Sequence, residues 1–338
     1  MNPLGKRPLG KSGLDVTHLG FGGAPLGDFY ARLPESQAIA TVDAAYAAGV
    51  RLFDTSPLYG HGLSEHRFGH VLRQTPRDFV LSTKVGRWLK PRPEAEIDRG
   101  WFKGGLNFEA VVDYSYDGTM RSIEGSFQRL GLNAVDVLLI HDVDVWTHGA
   151  EGYERHFRTA MAGAYKALDA LRAAGTIRAV GIGVNEIEPC LRFAREGDFD
   201  CFLLAGRYTL LEHAALDQLL PVCVQKDIGI MLGGPYNSGI LATGAIPNAK
   251  YNYFPAPPEI MARVARIETV CQRHRVPIAA AALQFPLGHP SVSSVIPGAV
   301  KPEEVARNIA LMETPIPADL WAELKAERLM PAHAPVPA

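Results

Sequence analysis

An eightfold alternation limits most strongly what this chain can fold into: a short strand, apolar along nearly its whole length, is followed each time by a longer stretch with helical spacing. The strands read HLGFGGA (18–24), RLFDT (51–55), FVLSTKV (79–85), VDVLLIHD (135–142), IRAVGIGV (177–184), FDCFLLAG (199–206), GIMLGG (229–234) and SVSSVIPG (291–298). Helical patterns follow near 35–48, 63–73, 117–130, 153–174, a short stretch closed by Gly197, 212–226, 258–274 and 302–312. Strands without a polar face are covered on both sides, which is the condition of a parallel sheet with crossover helices. Eight such units are what a closed (β/α)8 TIM barrel needs, and one such barrel occupies a chain of this length.

A doubly wound open sheet is the rival arrangement. It calls for a G-x-G-x-x-G turn in its first unit, and GFGGAPLG (20–27) lacks that spacing. No Pro- or Ser-rich linker divides the chain, so residues 1–338 read as one domain. Ahead of the first barrel strand, RPLGKSGLDVTHLG reads as a short β-hairpin capping the bottom of the barrel. After the last unit an extra C-terminal helix, about 317–328, leads into a Pro-rich tail expected to be loose.

The charge balance, 34 basic against 36 acidic residues, supplies no field that would gather nucleic acid, and a small neutral or polar ligand fits better. No stretch approaches the length of apolar sequence that spans a bilayer, and MNPLGKRPLGKSG has no apolar leader. Cys190, Cys201, Cys223 and Cys271 are scattered without metal or disulfide spacing, which suits free thiols in a cytoplasmic protein. No oligomeric state is read from these features.

Three short motifs are decoys. GKRPLGKS (5–12) matches the phosphate-loop pattern but lacks the preceding strand and following helix that pattern requires. His66 and His70 are four apart without a third ligand, so no metal is expected. Ser64 opens a helix and reads as an N-cap, not a nucleophile.

The strand ends carry the chemistry. In a barrel of this kind catalytic groups stand at the C-terminal ends of strands and on the loops beyond. Strand two ends in Asp54 and delivers Tyr59 on the loop FDTSPLYGHGLSE, strand three ends in Lys84, and strand four ends in His141. A lysine closing an apolar strand needs an acidic partner, and Asp54 supplies it. An ammonium beside a tyrosine is expected to bring the phenol toward its working range, and an imidazole donates to the oxygen being reduced or oxidised. Together these four residues read as an acid/base site for carbonyl–alcohol interconversion.

FDTSPLYGHGLSE, LSTKVG, LLIHD, GIGVN and IPGAVKPEEVARN, in this order and across nearly the whole chain, resemble the aldo-keto reductase superfamily. GFGGAPLG, HDVDVWTHG, AGRYTLLEH and GGPYNSGIL look like its branch of D-threo-aldose 1-dehydrogenases, L-fucose dehydrogenases and pyridoxal 4-dehydrogenases. The resemblance implies a nicotinamide dinucleotide bound in extended form at the C-terminal rim, with Asp54, Tyr59, Lys84 and His141 as the catalytic tetrad. It places Asn185 on the nicotinamide carboxamide, and Tyr236, Asn237 and Ser238 on the cofactor.

Ala205 and Gly233 stand where many members carry a Gln and a stacking Tyr, so Tyr208 or Tyr236 is expected to support the ring. In the last unit Gly298, Lys301, Glu304 and Asn308 fall on the adenosine-phosphate site. A carboxylate at Glu304, where an Arg is common, favours NAD, with NADP possible. Trp88, Trp101 and Phe102 in the insert 86–115, Trp146 and His148 in 143–152, and Tyr236, Tyr251, Tyr253 and Phe254 in 235–257 offer faces for a sugar or a pyridine ring. The aldose reading is oxidation at C1 to the lactone. Pyridoxal oxidation, general NADPH-dependent reduction of aldehydes and ketones, and a cofactor-binding regulatory role like that of potassium-channel β-subunits are the alternatives.

Overall fold

The computed structural model describes residues 1–337. Eight parallel strands form one sheet, in chain order β1 (Phe21–Gly22), β2 (Leu52–Asp54), β3 (Val80–Val85), β4 (Val137–His141), β5 (Ala179–Val184), β6 (Cys201–Ala205), β7 (Gly229–Gly233) and β8 (Val292–Ile296). Parallel bridges Leu19–Val295 and Gly22–Gly298 join the two ends, with Gly20 N donating to Val295 O at 2.9 Å and Gly22 N to Pro297 O at 3.0 Å. All eight strands fall inside the segments read from the sequence.

β2 to β5 and β7 to β8 are buried at every position, which is why their sequences carry no alternation. Side chains pointing into the barrel form their own cluster, with Leu52, Val80, Val137, Leu139, Cys201 and Met231 among its members. The N-terminal hairpin, Lys6–Pro8 paired with Asp15–Thr17, presses Leu9, Leu14 and Val16 into that cluster and closes the bottom. GKRPLGKS is therefore a hairpin arm and a turn of 3-10 helix at Gly10–Ser12, not a phosphate cradle.

The outer helices follow local signals. The helix Tyr116–Leu130 starts on Ser115, whose hydroxyl accepts from Gly118 N at 3.0 Å, and ends at Gly131 in the left-handed region. The helical stretch expected as one unit over 153–174 is two helices, Val145–Ala162 and Ala164–Ala173. They part at Gly163, where a Cβ would stand 2.7 Å from the Tyr114 carbonyl oxygen, and Ala164 N donates to that same oxygen. Ser64 is not an N-cap: its hydroxyl donates to Gly23 O at 2.8 Å and bonds Thr55, tying the loop after β2 to the end of β1.

Two helices went unread, the single turn Ile240–Thr243 and a longer one. Ile278–Gln284 is buried at every residue and packs inside Pro258–Arg273, held by Gln284 Nε2 donating to the Leu311 and Thr314 carbonyls at 2.9 Å each. An all-alanine face has no helical contrast to detect. The C-terminal tail after the helix Ala318–Ala326 is packed instead of loose, because Leu329, Met330 and Ala334 are buried in the main core.

Candidate active site

The loop after β2 is held from both sides. Gly60 and Gly27 approach so closely that a Cβ on Gly27 would lie 2.5 Å from Gly60 N, and Gly60 itself has φ of 64°. Leu106 N donates to Gly60 O at 2.9 Å, and His61 Nδ1 meets Phe108 O at 2.5 Å. Tyr59 therefore sits on a braced turn above the strand ends.

Asp54 and Lys84 form a buried ion pair, Nζ to Oδ2 at 2.7 Å, with both side chains at most 3% exposed. Ser82 donates to the other carboxylate oxygen at 2.9 Å, and Lys84 also donates to Thr55 O at 2.8 Å. The glycines of GIGV make room for the lysine: a Cβ on Gly183 would stand 3.3 Å from Lys84 Cε. Lys84 Nζ lies 4.7 Å from the centroid of the Tyr59 ring, and His141 meets that ring edge-on with centroids 5.9 Å apart. The four strand-end residues converge on one point.

Their protonation states differ from the sequence expectation in one respect. Burial first, then the carboxylates of Asp54 and Asp142, push the Tyr59 phenol well above its ordinary value, with only Arg87 opposing. The phenol stands high although the Lys84 ammonium lies over its ring. Burial, assisted by Arg87 and Lys84, holds His141 well below the usual imidazole range, so it is neutral. Ser56 Oγ lies 3.1 Å from His141 Nδ1, and Tyr114 OH donates to the His141 carbonyl at 2.7 Å.

These groups stand in a cavity of about 680 Å³. Asp54, Tyr59, Lys84, His141, Asn185, Tyr236, Asn237, Ser238, Gly298 and Trp146 all line it. Asn237 braces the floor, its amide donating to Gly206 O at 3.1 Å, and Ser238 Oγ accepts from Tyr253 N at 2.9 Å. Asn185 Oδ1 accepts from Tyr253 OH at 3.2 Å, which brings the long loop 235–257 down over the barrel mouth.

Other expected residues lie outside the cavity lining. Asn308 accepts from Tyr236 OH at 2.8 Å, Glu304 Oε2 accepts from Val300 N at 2.8 Å, and Lys301 is exposed at the start of the helix Pro302–Glu313. Trp88 packs under the Arg121 guanidinium, 4.2 Å from its ring centroid, and is not a substrate wall. His148 stands behind the site, 3.0 Å from Tyr114 OH and with its ring tilted against that of His156 at 4.3 Å. Tyr208 cannot face a nicotinamide, because it is fully buried against Phe285.

Sequence reasoning missed two residues of this wall. Arg87, the first residue of the hairpin Arg87–Pro91 with Phe108–Val112, reaches Asp142 Oδ2 at 3.1 Å, and both line the cavity. Asp142 directly follows His141, and that adjacency was the available signal. Opposite them stand Phe29, Trp101, Phe102 and Tyr253, with Trp101 stacked on Tyr253 at 4.9 Å.

The sequence and fold compare as follows. The aldo/keto reductase family model matches residues 18–328. The chain belongs to the aldo/keto reductase family. It is 43% identical to a pyridoxal 4-dehydrogenase of Microbacterium luteolum over 96% of this chain and 98% of that one. It is 40% identical to a D-threo-aldose 1-dehydrogenase of a Pseudomonas species over 95% and 96%. In fold it matches the holo form of an aldo-keto reductase from Bacillus halodurans, with a TM-score of 0.74, 24% identity and 97% of each chain covered.

Aldo-keto reductases use NAD(P)(H), and this chain is an oxidoreductase of that family acting on CH–OH or carbonyl groups. The cavity fits such a group. Gly22, Gly183, Gly206, Gly233, Gly234 and Gly298 leave its floor without side chains. At Gly206, with φ of 67°, a Cβ would project to 3.3 Å from Asn237 Nδ2 and 3.9 Å from Gly234 O. A flat ring can approach backbone in this cavity, which Tyr59 and His141 also line. Among the described residues no helix is long and apolar enough to cross a membrane.

Proposed function

We propose that this protein oxidises a cyclic hemiacetal to its lactone, with aldoses at C1 as the substrates. The observation that carries the reading is the meeting of Tyr59, Lys84, Asp54 and His141 in a cavity with one polar wall, Arg87 and Asp142, and one aromatic wall. A sugar presents hydroxyls to one side and C–H faces to the other, which matches that division.

In this reading Tyr59 takes the proton of the reacting hydroxyl in oxidation and returns it in reduction. His141, neutral, donates a hydrogen bond to the same oxygen and keeps it in line. Asp54 fixes Lys84, and Lys84 holds the Tyr59 ring in place by its charge over the ring face. The nicotinamide, when bound, supplies the hydride acceptor. Asn185 would hold its carboxamide, Tyr236, Asn237, Ser238 and Gly298 its further length, and the segment from Lys301 through Glu304 to Asn308 would flank the adenosine end.

Glu303 and Glu304 occupy the first turn of the helix Pro302–Glu313, where a 2′-phosphate would meet like charge. NAD is therefore the proposed cofactor over NADP, and Glu304→Arg should shift the kcat/KM ratio toward NADP. The whole chain is read as one barrel domain acting on small molecules in the cytoplasm, where its four buried free thiols stay reduced.

Pyridoxal is the second reading, favoured by the 43% identity to a pyridoxal 4-dehydrogenase. The test is formation of reduced nicotinamide from NAD, and separately from NADP, with L-fucose, D-arabinose, L-galactose, other aldoses and pyridoxal. Turnover of one stereochemical series of aldoses supports the proposal. Turnover of pyridoxal alone moves the assignment to the second reading. Turnover of neither moves the test to NADPH-dependent reduction of aldehydes and ketones, and silence there with tight cofactor binding retained leaves a regulatory subunit.

A further inference from the structure

The Arg87–Asp142 pair is built in a way that packing alone does not require. Arg87 is buried at the partition between the catalytic cavity and a second one of about 430 Å³ beneath the 86–115 insert, which is lined by His61, Glu96, Asp98, Arg99 and Glu109 among others. Its Nη1 lies 3.1 Å from Asp142 Oδ2 but without hydrogen-bond alignment, so that nitrogen's donors have no acceptor. A guanidinium that is ion-paired on one side and opens onto a cavity can take a further acceptor there.

Asp142 completes the pair. It leaves β4 with φ of 52°, in the left-handed region that aspartate enters more readily than most side chains, and this turn sets its carboxylate beside the catalytic imidazole. Oδ1 stands 3.5 Å from His141 Nε2 while Oδ2 faces Arg87. The carboxylate thus lies one oxygen position away from where the reacting oxygen is held.

Resting on the aldose reading, we propose that Arg87 and Asp142 together bind the hydroxyl on the carbon next to the one oxidised, so that the preferred substrates are 2-hydroxylated cyclic hemiacetals. A hydroxyl both accepts and donates. It can accept from Arg87 Nη1 and donate to the Asp142 carboxylate, bridging the two groups. Two oxygens on adjacent carbons have the separation needed to reach His141 and Asp142 from one substrate. Charged partners give such a contact its selectivity, because an analogue lacking the hydroxyl loses both bonds.

The experiment compares kcat/KM of the full-length protein with NAD for a 2-hydroxy aldose and for its 2-deoxy counterpart, at about pH 8, where the Asp142 carboxyl, raised to about 6 chiefly by burial, is ionised. The wild type should prefer the 2-hydroxy sugar by at least about 100-fold. Asp142→Asn, which keeps the side-chain shape, and Arg87→Met should narrow the gap between the two sugars, the 2-hydroxy sugar losing at least about tenfold more kcat/KM than the 2-deoxy sugar. The wild-type comparison needs no variant and so does not depend on either substitution folding. Equal use of both sugars by the wild type overturns the inference and leaves the aldose proposal standing. Equal losses on both sugars in Asp142→Asn also overturn it, since that is the pattern of a residue that only positions His141. No turnover of any aldose overturns the proposed function and this inference with it.

Discussion

Removing the charge of Asp54 should destabilise the protein as strongly as it impairs it. In Asp54→Asn the Lys84 ammonium, 1% exposed, keeps the Thr55 carbonyl but loses the carboxylate it is paired with at 2.7 Å. Breaking a buried pair from one side costs about 3–5 kcal/mol. With an unfolding entropy of roughly 2.1 cal/mol/K per residue, a chain of 338 residues loses about 1.4 °C of Tm per kcal/mol, so the drop should be roughly 4–7 °C.

Lys84→Met should cost less than Asp54→Asn. Burial already pushes the Asp54 carboxyl upward, so without its partner it takes a proton and keeps its bond to Ser82. The double variant, with no charge left at either position, should recover at least about 2 kcal/mol relative to the sum of the two single losses. Urea unfolding of the four proteins supplies the cycle. A cost below about 1 kcal/mol for Asp54→Asn, or additive losses in the double variant, would refute the claim that this pair is buried and mutually dependent.

Two further outcomes follow from the same geometry. The Tyr59 phenol is held above its ordinary value, so oxidation, which needs the deprotonated form, should accelerate continuously with pH through the neutral and mildly basic range. Reduction, which uses the protonated form, should stay flat over that range, and an oxidative plateau near neutrality would contradict the assignment. At the barrel bottom, Leu9→Ala empties a fully buried site on the N-terminal hairpin and should cost about 2–5 kcal/mol in chemical denaturation while leaving KM values unchanged, because the plug and the active site sit at opposite ends of the strands.

Much of this could be read from the residues. Strands buried on both faces announce themselves as uninterrupted apolar runs, and their polar terminal residues, Asp54, Lys84 and His141, stand out against that background. The features that escaped have weaker local signals. The helix Ile278–Gln284 has no polar face, so its periodicity is invisible, and the break at Gly163 depends on the approach of Tyr114, which is distant in sequence. Arg87 and Asp142 meet only because the insert folds back as a hairpin, and the alternation in FEAVV was the one trace of it. Trp88 and His148 were drawn toward the cavity by residue type, whereas the hairpin and the Val145–Ala162 helix turn them onto Arg121 and Tyr114.

The central claim is that Tyr59 moves the substrate's proton at a site assembled by Asp54, Lys84 and His141. Its most direct test is Tyr59→Phe, measured for both turnover of the preferred substrate and the cofactor dissociation constant. The account predicts turnover reduced by at least about 100-fold with cofactor binding changed only a few fold, since general acid–base groups contribute 10²–10⁴-fold and the hydroxyl serves the substrate alone. Turnover close to wild type in that variant would contradict it.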